Sequence, residues 1–212
     1  MKRIAFLLAA VLLSLNICGK AAGNAGGGVF DAGIGIGVYD KGEGTGAMFT
    51  QRAGAQWKVA DINSKLSVTA GAYLVNAYGS SSQVIEIPWM DKEIDEFDVN
   101  MTRDDISILP TASLNYSFTP TVEAYFSLGF GVGILHAKSS VNWDDEDPDE
   151  YDSEGISDSA TKVCFAMSTY VGVRYYLNSS WAVNAQFGMI AGNIKSHAGS
   201  YDLLSAGVSY RF

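Results

Sequence analysis

Carboxylates are the most concentrated chemically capable side chains in this sequence. Of its 23 acidic residues, 17 fall in two stretches. The first, 80–105, holds Glu86, Asp91, Glu93, Asp95, Glu96, Asp98, Asp104 and Asp105. The second, 140–159, holds Asp144, Asp145, Glu146, Asp147, Asp149, Glu150, Asp152, Glu154 and Asp158. Clustered carboxylate oxygens suit a hard divalent cation or a cationic partner surface. The spacing in the second stretch does not fit an EF-hand loop, because the central glycine is missing. Blocks of like charge are ordinarily solvated and self-repelling. No discrete metal site is therefore assigned, and the run Asp144–Asp152 is read as a possible cation or partner loop. Ile85, Ile87, Trp89, Met90 and Phe97 add apolar contact area to the first stretch.

Other reactive types are few. The histidines are His136 and His197, and after residue 23 the single cysteine is Cys164. A nucleophile needs a base and an orienting group within reach. Ser139, Ser140 and Asp202 are candidate neighbours, but spacing alone assembles no such geometry, so no catalytic residue is assigned. Cys164 reads as a small space-filler. The run Gly33-x-Gly35-x-Gly37 is not a nucleotide loop, since no helix follows it. No cofactor is expected.

The elements that must position these groups begin after a leader. Met1, Lys2 and Arg3 precede an apolar run from Ile4 to Ile17, then small residues from Gly19 to Ala25. This is the pattern of a secretory signal peptide, taken as residues 1–23, with the mature chain at 24–212. The run is too short to span a bilayer as a helix. Losing Lys2, Arg3 and Lys20 from 14 basic residues leaves 11 against 23 acidic ones, a formal charge of −12. Nucleic acid, which needs clustered cations, is excluded as a partner.

The mature chain has period two throughout. Eight segments each set an apolar face against a face of Gly, Ser, Thr, Asn and Tyr. Phe30, Ala32, Ile34, Ile36 and Val38 in the first oppose Asp31, Gly33, Gly35 and Gly37. Val122, Ala124, Phe126, Leu128 and Phe130 in the fifth oppose Glu123, Tyr125, Ser127 and Gly129. The apolar faces suit tilted membrane strands, and the small polar faces suit a narrow barrel lumen. Connections alternate between short (61–64, 119–121, 178–180) and longer, as periplasmic turns and extracellular loops do. Phe30, Trp57, Tyr116, Phe118, Tyr175, Trp181, Tyr210 and Phe212 then collect at the short-turn end as an interfacial girdle. The fold expected is all-β: an eight-stranded antiparallel up-and-down transmembrane barrel. Pro110 lies inside the fourth strand, where a missing donor predicts a bulge or a strand that starts at Thr111. Asp31, Lys58, Glu123, Arg174 and Arg211 face inward near the periplasmic end. Because buried charges need partners, they are expected to form an ion-pair network that plugs the lumen, with Glu123–Arg174 central to it.

The leader, the eight alternating strands, the loop asymmetry and the ending Ala206-x-Val208-x-Tyr210-x-Phe212 resemble the small bacterial outer-membrane barrels of the OmpA-barrel, OmpX, OmpW and opacity type. The resemblance covers essentially the whole mature chain. It implies location in the bacterial outer membrane, contact with outer-membrane lipid, and recognition of the last strand by the outer-membrane assembly machinery. Three roles follow as expectations. The first is a non-enzymatic barrel whose acidic loops serve a structural or surface-interaction role. The second is a narrow channel for small hydrophobic molecules, OmpW-like, favoured by apolar Leu109, Leu135 and Ile190 on the inward face. The third is a lipid-modifying enzyme using His136 or His197 at the rim.

Overall fold

In the computed structural model, residues 27–40, 45–86, 96–143, 156–193 and 199–212 are described. The leader 1–23, the acidic run Asp144–Asp152 and His197 lie outside these residues. Eight strands follow one another around a closed ring in which every neighbour is antiparallel. They are β1 (Gly28–Asp40), β2 (Thr45–Asp61), β3 (Leu66–Glu86), β4 (Glu96–Ser117), β5 (Val122–Trp143), β6 (Ile156–Tyr176), β7 (Trp181–Asn193) and β8 (Gly199–Arg211). The first and last strands close the ring, with Val29 beside Arg211 and Tyr39 beside Tyr201. The Gly28 amide donates to Phe212 O at 2.9 Å and the Phe212 amide to Gly28 O at 3.0 Å.

Alternation along each strand sorts the side chains by solvent, and the sorting is inverted relative to a water-soluble protein. Ile36 is 67% exposed and Phe187 60%, on the outer wall, whereas Asp31 and Ser209 are fully buried inside. Only a hydrocarbon surround makes that arrangement favourable, and a closed ring leaves no unpaired edge in it. At the short-turn end Tyr116 packs edge-on against Phe118 at 4.9 Å and Trp57 edge-on against Phe212 at 6.1 Å, while Trp181 meets Tyr210 at a tilt at 4.9 Å. The three short turns are fastened by side chains that satisfy their own backbone. Asn63 Oδ1 accepts from the Leu66 amide at 2.9 Å, Thr119 Oγ1 from Val122 at 3.0 Å, and Asn178 Oδ1 from Trp181 at 2.8 Å.

Two expectations are corrected. Stretches 80–105 and 140–159 are not wholly loop: β3 and β4 stay paired up to Glu86 opposite Glu96, and β5 and β6 up to Val141 opposite Ile156. These four strands have 21 or 22 residues, against 13 for β1, β7 and β8. Beyond the bilayer both faces of a strand are wet, so the ladder continues without the apolar alternation that marks it within. Pro110 neither starts β4 nor inserts a residue. It keeps Ala72 as its β3 partner, and pairing to β5 lapses only between Ile108–Val132 and Thr111–Gly129, with unchanged register. The extra residue lies in β2 instead, where the register to β3 shifts between Lys58 and Ala60.

Candidate functional site

The inward faces of β1, β4, β5, β6 and β8 bring Asp31, Asn115, Glu123, Arg174 and Ser209 together in the lower lumen. The guanidinium of Arg174, 1% exposed, is the hub. It donates through Nη2 to Asp31 Oδ2 at 2.8 Å, and through Nη1 to Glu123 Oε1 at 2.8 Å and Asn115 Oδ1 at 3.2 Å. Asp31 also accepts from the Tyr73 hydroxyl and from Ser209 Oγ. Asn184 in turn donates to Ser209 at 2.7 Å. Arg211 reaches Glu123 at 3.5 Å with a half-exposed side chain. Bonds between ionised partners are the strong ones, and here each buried charge has several. Lys58 is not part of this group. It sits at the barrel mouth and pairs with Asp61 at 2.8 Å, both partly exposed.

A second polar chain runs across the wall. Asn115 Nδ2 donates to Thr69 at 3.0 Å, Thr69 to Gln56 Oε1 at 2.8 Å, and Gln56 Nε2 to Ser113 at 2.6 Å.

Arg52, Tyr73, Tyr125 and Tyr170 are the members that sequence reasoning missed. The Arg52 guanidinium lies 4.6 Å from the Tyr73 ring centre and 5.5 Å from that of Tyr170, and Arg174 lies 4.2 Å from Tyr125. Each of these rings covers a glycine on the neighbouring strand: Tyr73 on Gly54, Tyr125 on Gly172, Tyr170 on Gly188. A Cβ at any of the three glycines would overlap the ring. Glycine on the lumen face thus makes room for tyrosine, and tyrosine offers its π-face to arginine. The available signal was parity, which puts Arg52 on the same face as Lys58.

Above this layer the lumen turns apolar. Met48, Val75, Ala77, Leu109, Ala166, Ile190 and Leu203 form one buried cluster. Near its upper end Arg103 bonds Asp105 at 2.7 Å, close to Cys164. Below the polar layer a vestibule of about 400 Å³ opens toward the short turns.

His136 points outward above the apolar wall, and its Nδ1 shares a hydrogen bond with Thr161 Oγ1 at 2.8 Å. Asp104 is its cross-strand partner on β4. Ser139 belongs to the opposite face of β5. Asp202 belongs to β8, whose neighbours are β1 and β7. Neither is brought to His136. Among the described residues no group of three or more His, Cys, Asp or Glu side chains is arranged to hold a metal.

The chain matches the outer membrane protein beta-barrel domain family over residues 5–212 and belongs to that family, which places it in the bacterial outer membrane. No curated protein matches its sequence. Among solved structures it is similar to Ail, the attachment invasion locus protein of Yersinia pestis, in complex with a heparin analogue. Identity is 15% over 87% of this chain and 99% of that one, with a TM-score of 0.42. It is similar to Neisserial surface protein A at 13% identity over 87% and 97%, TM-score 0.48. It is also similar to the outer membrane protease OmpT of Escherichia coli at 10% identity over 89% and 98%, TM-score 0.49. These likenesses concern the fold.

Proposed function

We propose that this protein is a sealed, non-enzymatic outer-membrane barrel whose acidic extracellular loops serve a structural or surface-interaction role. The observation that carries the reading is Arg174, fully buried and bonded to both Asp31 and Glu123 beneath a packed apolar layer. A lumen blocked by an ion-pair cluster and again by aliphatic side chains leaves no continuous wet path for ions. Outer-membrane lipid surrounds the apolar wall, the assembly machinery takes the C-terminal strand, and divalent cations or a cationic surface meet the loops. In the sequence the acidic run around Asp144, Asp145, Glu146 and Asp147 connects β5 to β6, two of the longest strands.

The test is conductance in a planar bilayer. Purified, folded protein is expected to give no discrete steps, and reproducible steps of uniform size would overturn the sealed reading. Changing those four acids to their amides is expected to abolish retention of a cationic reporter on cells bearing the protein. Unchanged retention would remove the loops from the proposal. A narrow path for small hydrophobic molecules is the second reading, favoured by the apolar lining of the upper lumen. It requires Leu109 and Ile190, now 0% and 2% exposed, to part.

A further inference from the structure

We propose that the periplasmic vestibule binds a small hydroxylated anion, of the size and chemistry of a sugar acid or sugar phosphate. The charge distribution is the first argument. Four of the eight described basic residues line this one cavity: Lys58, Lys65, Arg174 and Arg211. Among the described acids, Asp61 and Glu123 alone do so. A chain with a strongly negative total thus concentrates its cations at a single concave place, and a concave, low-dielectric wall strengthens their field on an entering anion.

Availability is the second argument. Arg174 is committed to Asp31 and Glu123 at the cavity floor. Arg211 is 42% exposed, and its bond to Glu123 is long at 3.5 Å. Lys58 is 40% exposed beside Asp61. The Lys65 side chain has no ion pair among the described residues, and the Asn63 turn holds its backbone in place at 2.8 Å. The Lys65 ammonium is therefore open to a guest, while Lys58, paired with Asp61, and Arg211, which lies 3.8 Å over the Tyr176 ring, keep partly exposed cationic groups that a guest can share.

The rest of the lining sets the class of guest. Between the cations stand the hydroxyls of Ser67 and Ser117, backed by Thr69, Gln56 and Asn115, which are bonded to one another, with Val29 and Leu66 the larger apolar contributors. Such walls bond hydroxyl groups and offer little to a hydrocarbon. The cations disfavour a metal ion. A volume of about 400 Å³ admits a single sugar ring with its charged group. Turn-end placement makes the periplasm the source.

The experiment is titration of isotope-labelled protein in nanodiscs with gluconate, with glucose 6-phosphate and with uncharged glucose, followed by amide NMR. Gluconate or glucose 6-phosphate is expected to move the amides of Lys65, Ser67, Thr69 and Asn115 saturably, and the stronger of the two identifies carboxylate or phosphate as the preferred group. Glucose is expected to leave them unmoved. Lys65→Ala lies on an exposed turn and leaves the fold intact. It is expected to weaken binding about threefold, and Lys65→Ala with Arg211→Ala about tenfold or more, while Lys138→Ala at the far end changes nothing. The proposal falls if neither anion gives saturable shifts, if glucose shifts the same amides equally, or if Lys65→Ala binds as wild type.

Discussion

At the scale of single residues, Arg174 organises the lower lumen because three different strands present buried or nearly buried acceptors to it. Removing one member of a buried ion pair strands the others, which is worth about 3–5 kcal/mol. Arg174→Leu is thus expected to lower stability by about that amount, read as a lower urea midpoint for unfolding in micelles, with Asp31 and Glu123 left unpaired. Tyr73→Phe removes one neutral donor to Asp31 and is expected to cost about 1–3 kcal/mol. A variant as stable as wild type in either case would mean that water replaces the lost donor. The charges of this cluster were legible from parity, since Asp31, Glu123 and Arg174 stand out on faces otherwise made of Gly, Ser and Tyr. Arg52 carried the same signal. Its partners did not, because whether a tyrosine ring meets an arginine depends on register between strands, which alternation within one strand leaves open.

At the scale of elements, the cross-strand pairs Gly54–Tyr73, Gly172–Tyr125 and Gly188–Tyr170 join neighbouring strands by shape. Gly172→Val is expected to lift Tyr125 from β6, away from Arg174, and to destabilise the barrel by about 1–3 kcal/mol as an overpacked site. The loss of the cation–π contact at Tyr125 would appear in the tyrosine ring shifts. Unmoved ring resonances would show that the ring rests on something else. Pro110 makes the opposite prediction. Its missing donor falls where pairing to β5 has already lapsed, so Pro110→Ala is expected to change stability by under about 1 kcal/mol, and hydrogen exchange would show whether the two lapsed pairs form. Strand number, order and facing were readable because hydrocarbon enforces strict alternation. The upper halves of β3 to β6 were not. In Ser80–Gln83 and Asn100–Arg103 neither face is apolar, so the pattern fades where the bilayer ends although the backbone pairing goes on.

At the scale of the whole molecule, the outer wall is a belt that tolerates hydrocarbon and little else. Leu128, outward and near mid-height of β5, is expected to cost about 2–4 kcal/mol when changed to Arg, whereas a polar change at neighbouring Ser127, which faces the lumen, should be far milder. Comparing how the two variants refold into lipid vesicles checks the assignment of faces, and similar losses would contradict it. The junction of Gly28 with Phe212 has a temporal consequence. Every other seam joins strands that are neighbours in the chain, but this one joins its described beginning to its last residue. Loop closure over that span is the most expensive in entropy and the last that can be made. Until β8 arrives, the chain is an open sheet with two unsatisfied margins. A nascent copy lacking its final 14 residues, β8 and Phe212, is therefore no smaller barrel but an adhesive intermediate, and its safe passage through the envelope depends on how long that state lasts.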